Sequence, residues 1–94
     1  MTTKPGRFAL GQMVMTPGAQ EAMQQALQIP PEFLLRHKRG DWGELDEEDT
    51  AENERALREG SRLFSAYSTR LGDKLWIITE WTREATTILK PDEY

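Results

Sequence analysis

Residues 62–89, RLFSAYSTRLGDKLWIITEWTREATTIL, decide the fold. They read as two β-strands joined around Leu71-Gly72-Asp73-Lys74, followed by a third strand, Ala85-Thr86-Thr87-Ile88-Leu89. Gly-Asp between two runs rich in β-branched and aromatic residues is a short-hairpin signal, because glycine takes the positive φ that tight hairpin turns demand. With Gly72 and Asp73 as a two-residue loop, Leu71 faces Lys74, Arg70 faces Leu75, Thr69 faces Trp76 and Tyr67 faces Ile78. That register groups Phe64, Ala66, Leu75, Ile77 and Trp81 on one face and Leu63, Tyr67, Trp76 and Ile78 on the other. Both faces carry large apolar groups, so both are expected to be covered at least in part.

Upstream of this hairpin the signals turn helical. Asp46 opens an acidic helix that runs to Glu59, with acids crowding the first turn, where the helix dipole favours them, and Gly60 as the stop. Few apolar residues (Ala51, Ala56, Leu57) line it, so most of its surface is expected to face solvent or a partner. Gly40-Asp41-Trp42-Gly43 is a turn that Trp42 pins to the body of the domain. Residues 31–39, PEFLLRHKR, make about two helical turns with Phe33, Leu34 and His37 inward. Ile29-Pro30-Pro31 separates them from a helix over 17–28, which Thr16 caps and Pro17 starts. Its stripe is Ala19, Ala22, Met23, Ala26 and Leu27, small enough for close packing. Residues 7–15, RFALGQMVM, form a candidate N-terminal strand with Phe8, Leu10 and Val14 on one side, and Gly11-Gln12 mark a bulge or loop within it. Residues 90–94 read as a short tail after Pro91.

The order β-α-α-α-β-β-β specifies an α+β fold: a small antiparallel sheet packed with two to three helices, in a single domain over 1–94. A chain of 94 residues supports one such core. There is no cysteine, hence no disulfide, zinc-thiolate site or thiol nucleophile. The longest apolar runs fall well short of the ~18 residues of a membrane span, and the N-terminus lacks the apolar stretch of a signal peptide. The chain therefore reads as cytoplasmic, with no membrane partner and no cofactor.

The net charge of -4 is unevenly spread. Residues 1–40 carry five Lys/Arg against two acids, residues 41–59 nine acids against two Arg, and residues 60–94 five of each. The acidic block makes Asp41, Asp46, Glu47, Glu48, Asp49 and Glu52, with Trp42 in the adjoining turn, the candidate contacts for a protein partner. The same acids lack the spacing of an EF-hand loop. Nucleic-acid binding has a candidate set in Arg36, Lys38 and Arg39, joined by Arg62, Arg70 and Arg83 on or beside the hairpin; a pI near 5.0 disfavours a general phosphate binder. A Ser-His-acid arrangement would need His37, the only histidine, which sits among like charges in Arg36-His37-Lys38-Arg39 and is expected instead to cap its short helix near the dipole's negative end. A free sheet edge at the hairpin or at residues 7–15 would allow a homodimer.

Over nearly its whole length the chain resembles a family of small uncharacterised bacterial proteins often encoded on plasmids and other mobile DNA. The stretches that carry the resemblance are Phe8-Ala9-Leu10-Gly11-Gln12, Thr16-Pro17-Gly18-Ala19, Phe33-Leu34-Leu35-Arg36-His37, Gly40-Asp41-Trp42-Gly43, Asp49-Thr50-Ala51-Glu52-Asn53 and Lys74-Leu75-Trp76-Ile77-Ile78-Thr79-Glu80. The resemblance brings no catalytic roles; it implies a small protein that modulates a host system. Helices ahead of an antiparallel sheet also resemble the ribonuclease-type toxins of toxin–antitoxin pairs, which would give Arg62, Arg70, Arg83 and Tyr67 phosphate-binding and acid–base roles. The leading expectation is a non-enzymatic interaction protein that binds a host macromolecule or a defence or regulatory complex. The alternatives are a toxin-like ribonuclease and a small nucleic-acid-binding regulator.

Overall fold

A computed structural model of the chain describes residues 6–94. Its elements run β1 (Gln12–Met15), α1 (Pro17–Gln25), α2 (Pro30–Lys38), α3 (Glu47–Glu59), β2 (Leu63–Ser68), β3 (Lys74–Thr79), β4 (Ala85–Leu89) and a 3-10 turn, Pro91–Glu93. The fold is α+β. The four strands lie in the order β1-β4-β3-β2: the three C-terminal strands are antiparallel, and β1 adds to β4 in parallel. No helix among the described residues is long and apolar enough to cross a membrane.

The hairpin register departs from the two-residue turn expected at Gly72-Asp73. Leu63 pairs with Thr79, Ser65 with Ile77, Tyr67 with Leu75 and Ser68 with Lys74, so the strands slide by three residues and the loop widens. The Thr69 N–H donates to Asp73 O at 2.8 Å and the Gly72 N–H to Thr69 O at 2.9 Å, closing that loop internally. An odd slip exchanges faces. Leu63, Ser65, Tyr67, Leu75, Ile77, Thr79, Thr86 and Ile88 now share one buried face, while Phe64, Ala66, Trp76 and Ile78 share the other and are half-buried. Apolar patterning overrode turn preference here, because the two-residue register would split Leu63 and Tyr67 from Leu75 and Ile77. Trp81 belongs to neither face: it lies in the turn before β4 and is exposed.

The buried face is covered by α1 and α2. Ala19, Ala22 and Met23 of α1 and Phe33 and Leu34 of α2 form one core with Tyr67, Leu75, Ile77 and Ile88. Thr16 caps α1 as expected, accepting from the Ala19 N–H at 3.3 Å. That helix ends at Gln25, earlier than its apolar stripe suggested. Leu27 takes a φ of 56° and is exposed, so it leaves the stripe, while Ala26 stays buried. In α3 the Asp46 carboxylate caps the Asp49 N–H at 2.8 Å, and Gly60 ends the helix in the left-handed conformation.

Of the expected N-terminal strand only Gln12–Met15 pairs. Gly11 sets the boundary: at φ +67° a Cβ there would lie 2.3 Å from the Glu84 backbone, so residues 6–11 turn away from the ladder. Val14 is consequently exposed rather than sharing a side with Phe8 and Leu10, and Met15 packs on the core instead. Residues 90–94 also depart from a tail. The Glu93 carboxylate accepts from Thr16 Oγ1 at 2.6 Å, Gly18 N at 3.0 Å and Lys90 N at 2.8 Å, and the Tyr94 ring lies edge-on to Trp76 at 5.7 Å.

The two sheet edges are treated differently. On the β2 side, Ala66 bonds Trp42 O and the Glu44 N–H, and the Asn53 amide takes both backbone groups of Phe64. On the β1 side, Gln12 and Thr16 bond to β4, so by alternation the backbone groups of Met13 and Met15 point outward. Beside them lies an apolar groove of about 210 Å³ lined by Met13, Met15, Pro30, Pro31 and Leu34.

Candidate interaction surface

The titratable side chain at the centre of the molecule is His37, which is fully buried. α2 places it one turn after Phe33, on the same face, where it bridges to the sheet. Its Nδ1 meets Ser65 Oγ on β2, and its Nε2 lies 2.9 Å from Thr79 Oγ1 on β3. Thr79 Oγ1 is 2.7 Å from Thr86 Oγ1 on β4, which in turn donates to Leu10 O at 2.7 Å. A carbonyl oxygen only accepts, so the direction follows as far as the ring. Thr86 donates to Leu10, Thr79 donates to Thr86, and His37 donates from Nε2 to Thr79. In the neutral ring Nδ1 then accepts from Ser65. Burial, and secondarily the charge of Arg83, pushes its pKa down to about 4.

A serine hydroxyl bonded to a histidine invites a catalytic reading, and burial answers it. Ser65 and His37 are both inaccessible, and no carboxylate orients the ring. The pair completes the interior. Nor does His37 cap its helix; it faces the sheet, because positions 33, 34 and 37 form one stripe.

The acidic residues divide into those the fold uses and those it leaves outside. Asp41 is held by Arg36, with Nε to Oδ2 at 2.8 Å, and accepts from the Gly43 N–H at 3.2 Å. That hydrogen bond from Arg36 keeps the Asp41 carboxyl below its usual pKa. Trp42 is buried in a second small core with Ala56 and Leu63, and its indole donates to Glu54 Oε2 at 2.9 Å. Both residues therefore build the turn, and the Trp42 side chain is not on the surface. Asp46 is the cap of α3 and is exposed. Glu47, Glu48 and Asp49 are exposed and form no salt bridge among the described residues, while Glu52 meets Arg55 at 3.3 Å. Asp49 and Glu52 also border a cleft of about 260 Å³ between α3 and β2, with Asn53, Arg55, Arg62 and Phe64 on its other walls.

The basic residues are not brought together. Arg36 is taken up by Asp41 and lies 4.5 Å over the Tyr67 ring. Lys38 and Arg39 follow it at the end of α2, Arg39 exposed and Lys38 half-buried. Arg62, at the start of β2, donates to the Tyr94 hydroxyl at 2.7 Å. Arg70, beyond the other end of that strand, donates to Leu27 O at 3.0 Å. Arg83 donates to Ser61 O at 2.6 Å and Ala56 O at 3.3 Å, closing the C-terminus of α3. Tyr67 is buried, with its hydroxyl donated to Asp41 O and its pKa pushed up to about 12, chiefly by burial. Six residues of strand separate Arg62 from Arg70, about 20 Å, so Arg62, Arg70, Arg83 and Tyr67 do not converge on one phosphate.

Among the described residues no group of three or more His, Cys, Asp or Glu side chains is placed to hold a metal ion. Sequence reasoning missed Asn53, which is buried within the acidic helix and clamps β2. The available signal was its place three residues before Ala56, on the narrow face that packs. Comparison with family models, with curated proteins and with solved structures returned no match.

Proposed function

We propose that the protein is a non-enzymatic binding module of mobile-element type that presents the first two turns of α3 to a basic surface on a host macromolecule or regulatory complex. The observation that carries this reading is the contrast within the acidic block. Asp41, Glu44 and Glu54 are each paired with a cation of the fold, whereas Glu47, Glu48 and Asp49 are exposed and form no salt bridge among the described residues. Unpaired carboxylates crowded on one helix end set up a local negative field that steers a cationic partner into contact. The resemblance to small plasmid-borne proteins supports the same reading. The distance of Arg70 from Arg62, and the engagement of Arg62, Arg70 and Arg83 with the fold, speak against the ribonuclease alternative.

The test is co-purification from the source cell at moderate salt, with the tagged protein beside a variant carrying Glu47→Gln, Glu48→Gln, Asp49→Asn and Glu52→Gln. One stoichiometric protein partner is expected with the parent and a loss of at least tenfold with the variant, both chains remaining folded. Equal recovery of the partner by the two overturns the acidic-helix reading. Recovery of RNA in its place moves the site to Lys38 and Arg39.

A further inference from the structure

Residues 6–11 belong to no strand or helix, yet they close over the buried imidazole. The Phe8 ring lies edge-on to His37 at 5.1 Å and stacks against Trp42 at 6.1 Å. Leu10 O terminates the hydrogen-bond chain that runs from Ser65 through His37 to Thr86. The segment is also held by Leu10 on the main core, by Phe8 on the second core under Arg83, by the Arg7 N–H on Lys38 O at 2.8 Å and by an exposed ion pair between Arg7 and Glu54. Gly11, in its left-handed conformation, joins it to β1 as a natural hinge.

We propose that residues 6–11 form a strap whose closure over His37 requires a neutral imidazole, so that uptake of one proton opens it. In the neutral ring Nδ1 accepts from Ser65, and a hydrogen on Nδ1 would force that bond to reverse, with the Ser65 hydroxyl turning to accept. The new charge would lie between Phe8 and Trp42, out of water, with Arg83 as the cation whose field reaches it. The other charged or titratable groups on the surrounding elements do not compensate. Glu54 is bound to Arg7 and Trp42, Tyr67 donates to Asp41 O, Arg36 is bound to Asp41, and Lys38 is a further cation. Opening the strap returns water to the ring and breaks no ladder hydrogen bond, at the loss of the Phe8 and Leu10 packing.

The sign follows from linkage. With the strap closed the ring titrates near 4; opened to water it returns toward 6.5. The open form therefore gains with falling pH throughout that interval, up to about tenfold per pH unit, and closure is complete above it. Between pH 7 and pH 5 the opening equilibrium should rise about twenty- to thirtyfold.

Hydrogen exchange by NMR, corrected for intrinsic rates, reads this directly on the Arg7 amide and the Trp42 indole N–H, with the Ile77 amide in β3 as reference. The expected result is a twenty- to thirtyfold loss of protection for the first two, an unchanged Ile77, and no pH response of the strap in His37→Gln. Phe8→Ala, which uncovers the ring without touching the hydrogen-bond chain, should raise the His37 titration toward its ordinary value and keeps the test available if His37→Gln does not fold. Strap protection that ignores pH overturns the proposal. So does loss of Ile77 protection in step with Arg7, or an unshifted His37 in Phe8→Ala.

Discussion

Helices α2 and α3 flank the same sheet, and both carry a run of charge that looks solvated, yet they serve the molecule in opposite ways. α2 has nine residues and sinks Phe33, Leu34 and His37 into the main core. α3 has thirteen and buries only Asn53 and Ala56, touching the sheet at the edge of β2. The difference follows from which side chains share a stripe. Three large inward groups bind α2 to the sheet, whereas α3 is held along one narrow side by Asn53, Ala56, Leu57 and Glu54, leaving Glu47, Glu48 and Asp49 outside that side. An exposed helix face of that kind is where surface chemistry can change without unfolding the chain.

The largest effect that would sharpen this contrast is at Phe33. Phe33→Ala should remove about 3–5 kcal/mol of stability, measured by urea unfolding, because it leaves a cavity against Tyr67 in the close-packed core. A loss below about 1.5 kcal/mol would mean that α2 is less deeply engaged than its burial implies. On α3 the corresponding position is Asn53. Asn53→Ala leaves the Phe64 N–H and C=O unpaired at a protected edge and should lose about 1–3 kcal/mol, with faster hydrogen exchange at Phe64. Next comes the cap: Asp46→Ala should lose about 1 kcal/mol and fray the first turn, visible as lost helical ellipticity. Smallest is Glu48→Gln, expected within about 0.5 kcal/mol of the parent by the same urea measurement. If Glu48→Gln rivals Asn53→Ala, the outer face of α3 is structural and the comparison collapses.

Much of this was legible residue by residue. Thr16-Pro17 and Gly60 announce helix ends because capping depends on atoms three or four residues apart, while Asp46, expected as the first residue of α3, is its cap. Phe33 and Leu34 announce a buried stripe by helical spacing alone, whereas His37, within Arg36-His37-Lys38-Arg39, reads as a helix cap and is instead buried against the sheet. Trp42 as an anchor of its turn follows from placing one large aromatic between two glycines. Asn53 was illegible as a clamp, since its value lies in the unpaired backbone of Phe64, eleven residues away. Arg62, Arg70 and Arg83 looked alike in the chain; their separation is a property of the sheet, and their partners are backbone carbonyls and one tyrosine hydroxyl that no local pattern reveals.

The amino-acid sequence by itself determined the class of fold, the order of its strands and α-helices, the helix ends at Thr16 and Gly60, and most of the apolar stripe of α1 and α2. These rest on interactions within one or two turns of backbone, and such interactions are written locally. Only the tertiary structure decided the hairpin register, the parallel addition of β1 to β4, the closing of the β2 edge, and the hydrogen-bond chain through His37. Each of those depends on groups far apart in the chain satisfying one another out of water. A local turn preference such as Gly72-Asp73 yields when three residues of slip place Leu63, Tyr67, Leu75 and Ile77 on a single buried face.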